Sequence, residues 1–172
     1  VPKALPAAYV EPKQVSLTYI GHSTFLIETA GGVTVATDYN DYVRPDIVPR
    51  VATMNRAHST HYSLNPDPGI EYVLKGWRED RDPVHYDMQV GDLWIGNLQT
   101  NIRDYTGGTI LNGNSIFIFR AADLCIAHLG HLHHTLTEQD LGALGRIDVV
   151  LAPVDGSYTL DIEGMIEVLK AL

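Results

Sequence analysis

His128-Leu129-Gly130-His131-Leu132-His133-His134-Thr135-Leu136-Thr137-Glu138 is the stretch on which the fold and the chemistry of this chain turn. It carries four of the eight histidines and follows the apolar run Leu124-Cys125-Ile126-Ala127. A strand that ends in a loop bearing His128 and His131 is a common way to present ligands over a rigid sheet. Neutral imidazole is the commonest side-chain metal ligand. A second pair with the same spacing, His58 and His61, follows the short strand Val51-Ala52-Thr53-Met54. Residues i and i+3 of a helical turn share a face, so each pair can point at one ion. The H-x-x-H spacing also arises by chance. Histidines that cap a core and bond carbonyls therefore stay open as the alternative at this level.

Outward from that stretch, strand signals dominate the first three-quarters of the chain. Ser16–Ile20, Thr24–Glu28 and Val33–Asp38 alternate around the Gly31-Gly32 turn and read as a β-meander. Ile70–Trp77 reads as a short helix or turn. Strands are expected again at Val84–Met88, Leu93–Leu98, Ser115–Arg120 and Leu124–His128, punctuated by Gly107-Gly108 and Asn112-Gly113. Thr137 followed by Asp140 predicts a helix with a capping box, and Ile147–Ala152 a buried strand bounded by Pro153. Ile162, Met165, Ile166 and Leu169 recur at helical spacing behind Asp161. Strands first and a helix–strand–helix ending give an α/β or α+β fold with sheets covered by helices.

Composition narrows the partners. The 172 residues suffice for one domain, expected over 1–172 with an extended lead-in over 1–15. A formal charge of -9 argues against nucleic acid, which requires a basic patch, and against an anionic membrane face. No apolar run reaches the roughly 20 residues of a membrane helix. Cys125, the single cysteine, lies in an apolar run and reads as a small hydrophobe, not a nucleophile. A start at Val1 in place of Met is consistent with a removed leader, so a soluble protein of either cytoplasm or periplasm is expected.

Several ordered segments carry a resemblance to a known family. Tyr19-Ile20-Gly21-His22-Ser23-Thr24-Phe25-Leu26-Ile27-Glu28 resembles G-H-S-x-F-L-I, and Asn112-Gly113-Asn114-Ser115 resembles a G-N-S turn. The stretch from His128 to Glu138 resembles H-L-G-D-L-G-H-x-L-T. Ile147-Asp148-Val149 with Pro153-Val154-Asp155-Gly156-Ser157-Tyr158-Thr159 resembles I-D-V-L-x-x-P-V-G-G-x-Y-T. The chain is identified on these grounds as a member of the metallo-β-lactamase fold superfamily, similar to its lactonase-like metal-dependent hydrolases. The resemblance implies a four-layer αββα sandwich and a metal-dependent hydrolase, with β-lactam cleavage belonging to another branch.

The departures bear on the ions. The family's first metal loop, H-x-H-x-D-H, falls on Arg56-Ala57-His58-Ser59-Thr60-His61, so only His58 and His61 match. His128 matches the next ligand histidine, and His131 stands where a carboxylate usually bridges two metals. The family's last ligand histidine follows one further strand, and the sequence ends at Leu172, so the sandwich is expected to lack that strand. An exposed sheet edge there leaves a homo-oligomer open. A neutral imidazole bridges two ions poorly, so one ion is expected, held by some of His58, His61, His128 and His131. Zinc is the default for imidazole ligands. Three imidazoles and an open position would lower the pKa of bound water toward about 7; four would close a tetrahedral, structural site.

Further candidates follow from position. Asp155 replaces the expected glycine and is a candidate ligand or base, its alternative being a turn-capping aspartate. Arg56 is a candidate for stabilising an oxyanion. His22 is expected to bond near the site without ligating, and Asp38 either orients an imidazole or caps a turn. At most one of His133 and His134 should face the site. Trp77 and Trp94 are expected in the core. The function expected is a metal-activated-water hydrolase of a small-molecule ester, lactone, amide or phosphoester. The alternative is a non-catalytic metal-binding or structural member of the same fold.

Overall fold

The computed structural model describes residues 9–172; the part of the expected lead-in at 1–8 lies outside the described residues. Two five-stranded sheets stack face to face. The first runs β1 (Val15–Gly21), β2 (Thr24–Thr29), β3 (Thr34–Ala36), β4 (Val51–Met54) and β5 (Tyr72–Lys75), in that spatial order. The first three strands form the expected antiparallel meander; β4 and β5 then add in parallel. The second sheet orders β10 (Val149–Leu151), β9 (Leu124–His128), β8 (Thr109–Ala121), β7 (Leu93–Arg103) and β6 (Asp87–Val90). Two helices, α1 (Glu138–Leu144) and α2 (Ile162–Ala171), flank β10 in the chain.

Period-two alternation along β8 explains the layering. Phe117 and Phe119 point between the sheets, where they pack with Ile27, Val35 and Val51 of the first sheet. Ile116 and Ile118 point the other way and are covered by Leu144 of α1 and Met165 and Val168 of α2. Burial on both faces is why this segment reads as a continuous apolar run. The outer face of the first sheet carries Ala36, Ala52 and Met54. Among the described residues it is covered by loop side chains, Tyr39, Ile70 and Trp77, and not by a helix. The expected sandwich is thus present, its outer layer on that side supplied by coil.

Some local readings change. Ile70–Trp77, read as helix or turn, contains β5, because pairing with β4 overrides a weak local signal. The strand expected from Val84 begins at Asp87. Asn112-Gly113, read as a break, lies inside β8, where Asn112 adopts φ +55° beside a register shift between Thr100 and Ile102. A bulge absorbs the turn signal and the strand continues. Thr137 does cap α1, through a reciprocal capping box with Asp140.

Two buried asparagines tie the layers together under the strand ends. The Asn55 side chain, just after β4, accepts from the Ser115 N–H of β8 at 2.8 Å and donates to Asp38 Oδ1 at 3.0 Å. Asn114 Oδ1 accepts from the His131 N–H at 2.8 Å, and its Nδ2 donates to the Leu129 carbonyl at 3.1 Å and to Thr100 Oγ1 at 2.8 Å. Between them Gly130 sits at φ +60°, and a Cβ there would lie 2.4 Å from Asn55 Nδ2 and 2.6 Å from Asn114 Oδ1. Gly130→Ala therefore combines left-handed strain with overpacking. The expected cost is about 3 kcal/mol, a fall in Tm of roughly 6–12 °C for a chain of this size. Thermal unfolding followed by circular dichroism checks it.

Candidate metal centre

The site forms where four loops meet at the ends of β1, β4, β9 and β10. The loop after β4 is closed by the Asn55 N–H on the His61 carbonyl at 3.0 Å. Within it the His61 N–H donates to the His58 carbonyl at 2.8 Å. That turn brings the His58 and His61 rings to 6.1 Å between centroids. The loop after β9 is held by Asn114 and delivers His131, whose ring lies 4.7 Å from His58 and 4.6 Å from His61. Three of the four expected ligands therefore converge. The fourth, His128, lines the same cavity but directs Nε2 at the Ser23 carbonyl, 3.0 Å away, and packs its ring on Phe25.

Asp38 is the anchor beneath the cluster. It is fully buried, and its Oδ2 lies 2.6 Å from His61 Nδ1. Burial alone would push its carboxyl up. The imidazoles of His61 and His128, with hydrogen bonds from His61 and Asn55, outweigh burial and hold it below the ordinary range. An ionised Asp38 accepts a hydrogen bond from the His61 Nδ1–H, which leaves the lone pair of His61 Nε2 pointing at His131 Nδ1, 3.1 Å away. Of the two sequence readings for Asp38, orienting an imidazole is the one this geometry supports.

Five imidazoles of the site and its surroundings are biased toward the neutral form. Burial is the first cause in each case and lowers His22, His58 and His128. His131 is pushed down to about 3, by burial and then by His61. His133 is pushed down to about 4, by burial and then by Arg103. Neutral rings keep lone pairs for a cation.

A triad is excluded by atom assignment. Ser23 Oγ lies 3.2 Å from His61 Nδ1, the same nitrogen that Asp38 holds. A Ser–His–Asp relay requires the serine and the carboxylate on opposite ring nitrogens.

The donor set is of the kind that holds a transition ion. His58 Nε2 is buried without a hydrogen-bond partner among the described residues. The 3.1 Å between His61 Nε2 and His131 Nδ1 is close to the ligand–ligand edge of a tetrahedral zinc site, about 3.3 Å for Zn–N of 2.0–2.1 Å. Among the described residues no three such groups already stand in ligand geometry. The His61–His131 contact is a hydrogen bond whose proton an ion would replace.

The remaining candidates are placed as follows. His22 adopts φ +53°, contacts Ser23 Oγ through Nδ1 at 3.1 Å and packs edge-on to His61 at 5.2 Å, bonding in the site as expected. Asp155 lines the cavity, but its Oδ1 accepts from the N–H groups of Ser157, Tyr158 and Thr159, and its Oδ2 accepts from the Thr159 hydroxyl. Despite partial burial, these bonds hold it well below the usual carboxylate range. Asp155 is a turn cap, and the base or ligand reading is corrected accordingly. Arg56 lines a neighbouring cavity of about 430 Å³, not the main one of about 700 Å³, so the oxyanion reading loses its geometry. His133 lines that second cavity; His134 instead accepts from the Asn101 N–H. Trp77 is buried as expected, whereas Trp94 stacks under the Arg120 guanidinium. The sequence reading missed Tyr158, whose ring meets His58 edge-on at 5.9 Å and which lines both cavities. The local signal was the motif segment Pro153–Thr159, in which Tyr158 stands at the tyrosine position.

Comparisons with known proteins agree with this frame. A UPF0173 metal-dependent hydrolase from Salinibacter ruber is 27% identical over 177 residues, covering 87% of this chain and 76% of the relative. The crystal structure of a protein named as a Zn-dependent hydrolase of the metallo-beta-lactamase superfamily, from Thermotoga maritima, matches with a TM-score of 0.68. It shares 28% identity and covers 92% of this chain and 71% of its own. A structure named as a metal-dependent hydrolase from Parabacteroides distasonis, at 15% identity and a TM-score of 0.64, supports the fold alone; the match covers 91% of this chain and 77% of that one. A family profile described as the beta-lactamase superfamily domain matches residues 16–172, and the chain belongs to the metallo-β-lactamase superfamily.

Proposed function

We propose that the protein is a metal-dependent hydrolase with one divalent ion, zinc by default, held by His58, His61 and His131. The observation that carries this reading is the convergence of three imidazoles over the buried Asp38, on the wall of a cavity of about 700 Å³. Relatives named as metal-dependent and Zn-dependent hydrolases support the class. When bound, the ion would supply Lewis acidity and an activated water for an ester, lactone, amide or phosphoester.

The chain's own groups have separable parts. Asp38 fixes the His61 tautomer so that Nε2 is the free donor atom. Phe25, Leu151, Pro153 and Val154 give the cavity an apolar wall against which the substrate would pack. His22 stands at the mouth, exposed, with Nδ1 on the Ser23 hydroxyl. It is the residue placed to pass a proton to or from solvent. His128 positions the Ser23 backbone through its Nε2–H.

The competing reading is a non-catalytic metal-binding member. It is favoured by the His61–His131 pair, in which His61 Nε2 and His131 Nδ1 are bonded to each other without an ion.

Metal content by mass spectrometry, with a screen of ester and lactone hydrolysis, separates the readings. One equivalent per chain is expected, lost in His61→Ala and in His131→Ala, and weakened about 10- to 100-fold in Asp38→Asn, as for other supporting partners of ligand histidines. Metal bound with no turnover on any substrate class would support the non-catalytic reading. No metal even after incubation with zinc would sink both.

The depressed imidazoles set the pH dependence of the metal-free chain. Folded-state values below the ordinary 6.5 mean that the unfolded chain binds more protons, so stability is fully present above about pH 6.5 and is lost as pH falls toward 3. For the well-buried His131 the slope is about 1.4 kcal/mol per pH unit. Chemical denaturation at a series of pH values should show this fall, and His131→Asn should reduce its slope by about one proton.

A further inference from the structure

The second cavity, about 430 Å³, shares His58, His131 and Tyr158 with the first and carries Arg56, Arg103 and His133. Arg44, Arg50, Arg78 and Arg146 each pair with a carboxylate. Arg56 is partly buried, yet its guanidinium has no hydrogen bond or ion pair among the described residues. Arg103 spends its donors on carbonyls and a ring nitrogen: Nη2 on the Thr159 carbonyl at 2.7 Å and Nε on His133 Nδ1 at 3.1 Å. Neither guanidinium forms an ion pair with a carboxylate among the described residues, in a chain whose formal net charge is -9.

His133 adds a directional donor. Its Nδ1 accepts from the Arg103 N–H at 2.8 Å as well as from Nε. The ring proton must then sit on Nε2. That Nε2 is buried and has no partner among the described residues. A buried N–H without an acceptor is costly, and a protonated nitrogen beside two guanidiniums repels a cation. Asp104 also lines the cavity, but its Oδ1 already accepts from the Thr106 N–H and hydroxyl and the Gly108 N–H. Asp104 keeps its negative charge, but neither the Arg56 guanidinium nor the His133 Nε2–H is bonded to it or to any other acceptor among the described residues.

We infer that this cavity is a subsite for an oxyanion, a carboxylate or phosphate group carried by the substrate, with Arg56 as its charge partner and the His133 Nε2–H as its donor. A guanidinium presents paired N–H groups that match both oxyanions. The common wall of His58, His131 and Tyr158 places that group one side chain's width from the imidazole cluster, so it would orient the scissile bond in the main cavity. As a statement about substrate, the inference rests on the hydrolase reading; as a statement about binding, it does not.

The test is calorimetric titration of inorganic phosphate and of glutarate into the full chain, before and after removal of divalent ions with a chelator. Saturable binding of at least one probe is expected, surviving chelation, weakened about tenfold in Arg56→Gln and partly restored in Arg56→Lys. The preferred probe identifies the group. Equal affinity in wild type and Arg56→Gln, or no saturable binding of either probe, overturns the subsite. Binding that disappears on chelation also overturns it and assigns the anion to the metal centre, which leaves the hydrolase reading standing. If Arg56→Gln fails to fold, phenylglyoxal labelling of wild-type Arg56 replaces it: slower labelling with the probe supports the subsite, and an unchanged rate overturns it.

Discussion

The buried side-chain amide of Asn55 is the contact on which the architecture around the site depends. It leaves the first sheet after β4, bonds the Ser115 backbone of β8 in the second, and donates to Asp38. One residue thus sets the offset of the sheets and the position of the carboxylate under the histidines. Such a contact cannot be relaxed piecemeal. Losing the amide would strand a buried N–H of Ser115 and remove a donor from a buried carboxylate, and both are expensive away from water. Asn114 repeats the device one strand end away, bracing the loop that carries His131.

From that rigid base the electrostatics of the site follow. A single buried carboxylate faces several imidazoles. The low polarity that makes a charge costly biases His22, His58, His128 and His131 toward the neutral form, while the imidazoles and hydrogen bonds around Asp38 favour its ionised form against the cost of burial. The centre therefore carries little positive charge of its own and is preset to receive a cation. Replacement of the usual aspartates by Thr60 and His131 removes negative charge from the place where a second ion would sit, consistent with the single-ion proposal.

The same substitutions reshape the neighbouring space. Arg56 occupies the position of a ligand histidine in the motif the loop resembles, and its side chain lines the second cavity. A position that elsewhere serves a metal here brings fixed positive charge. The turn held by Asp155 sets Tyr158 between the two cavities, so four consecutive acceptor contacts on one carboxylate shape a wall and do no chemistry.

The sequence by itself determined the meander at Ser16–Glu28, the capped helix at Thr137, the strand around Phe117, and the H-x-x-H pairs. These depend on residues close in the chain, through alternation, capping and short turns. Tertiary structure alone decided the rest. Tyr72–Lys75 became a strand because β4 offered an edge. Asn112-Gly113 became a bulge because β7 continued beside it. His128 turned to the Ser23 carbonyl while His131 joined the cluster, and Arg56 came to line only the second cavity, whereas His58 two residues away lines both. Which ring nitrogen meets which partner depends on residues 23, 38, 55 and 114, brought together only when the sheets stack, and spacing along one loop carries no information about them.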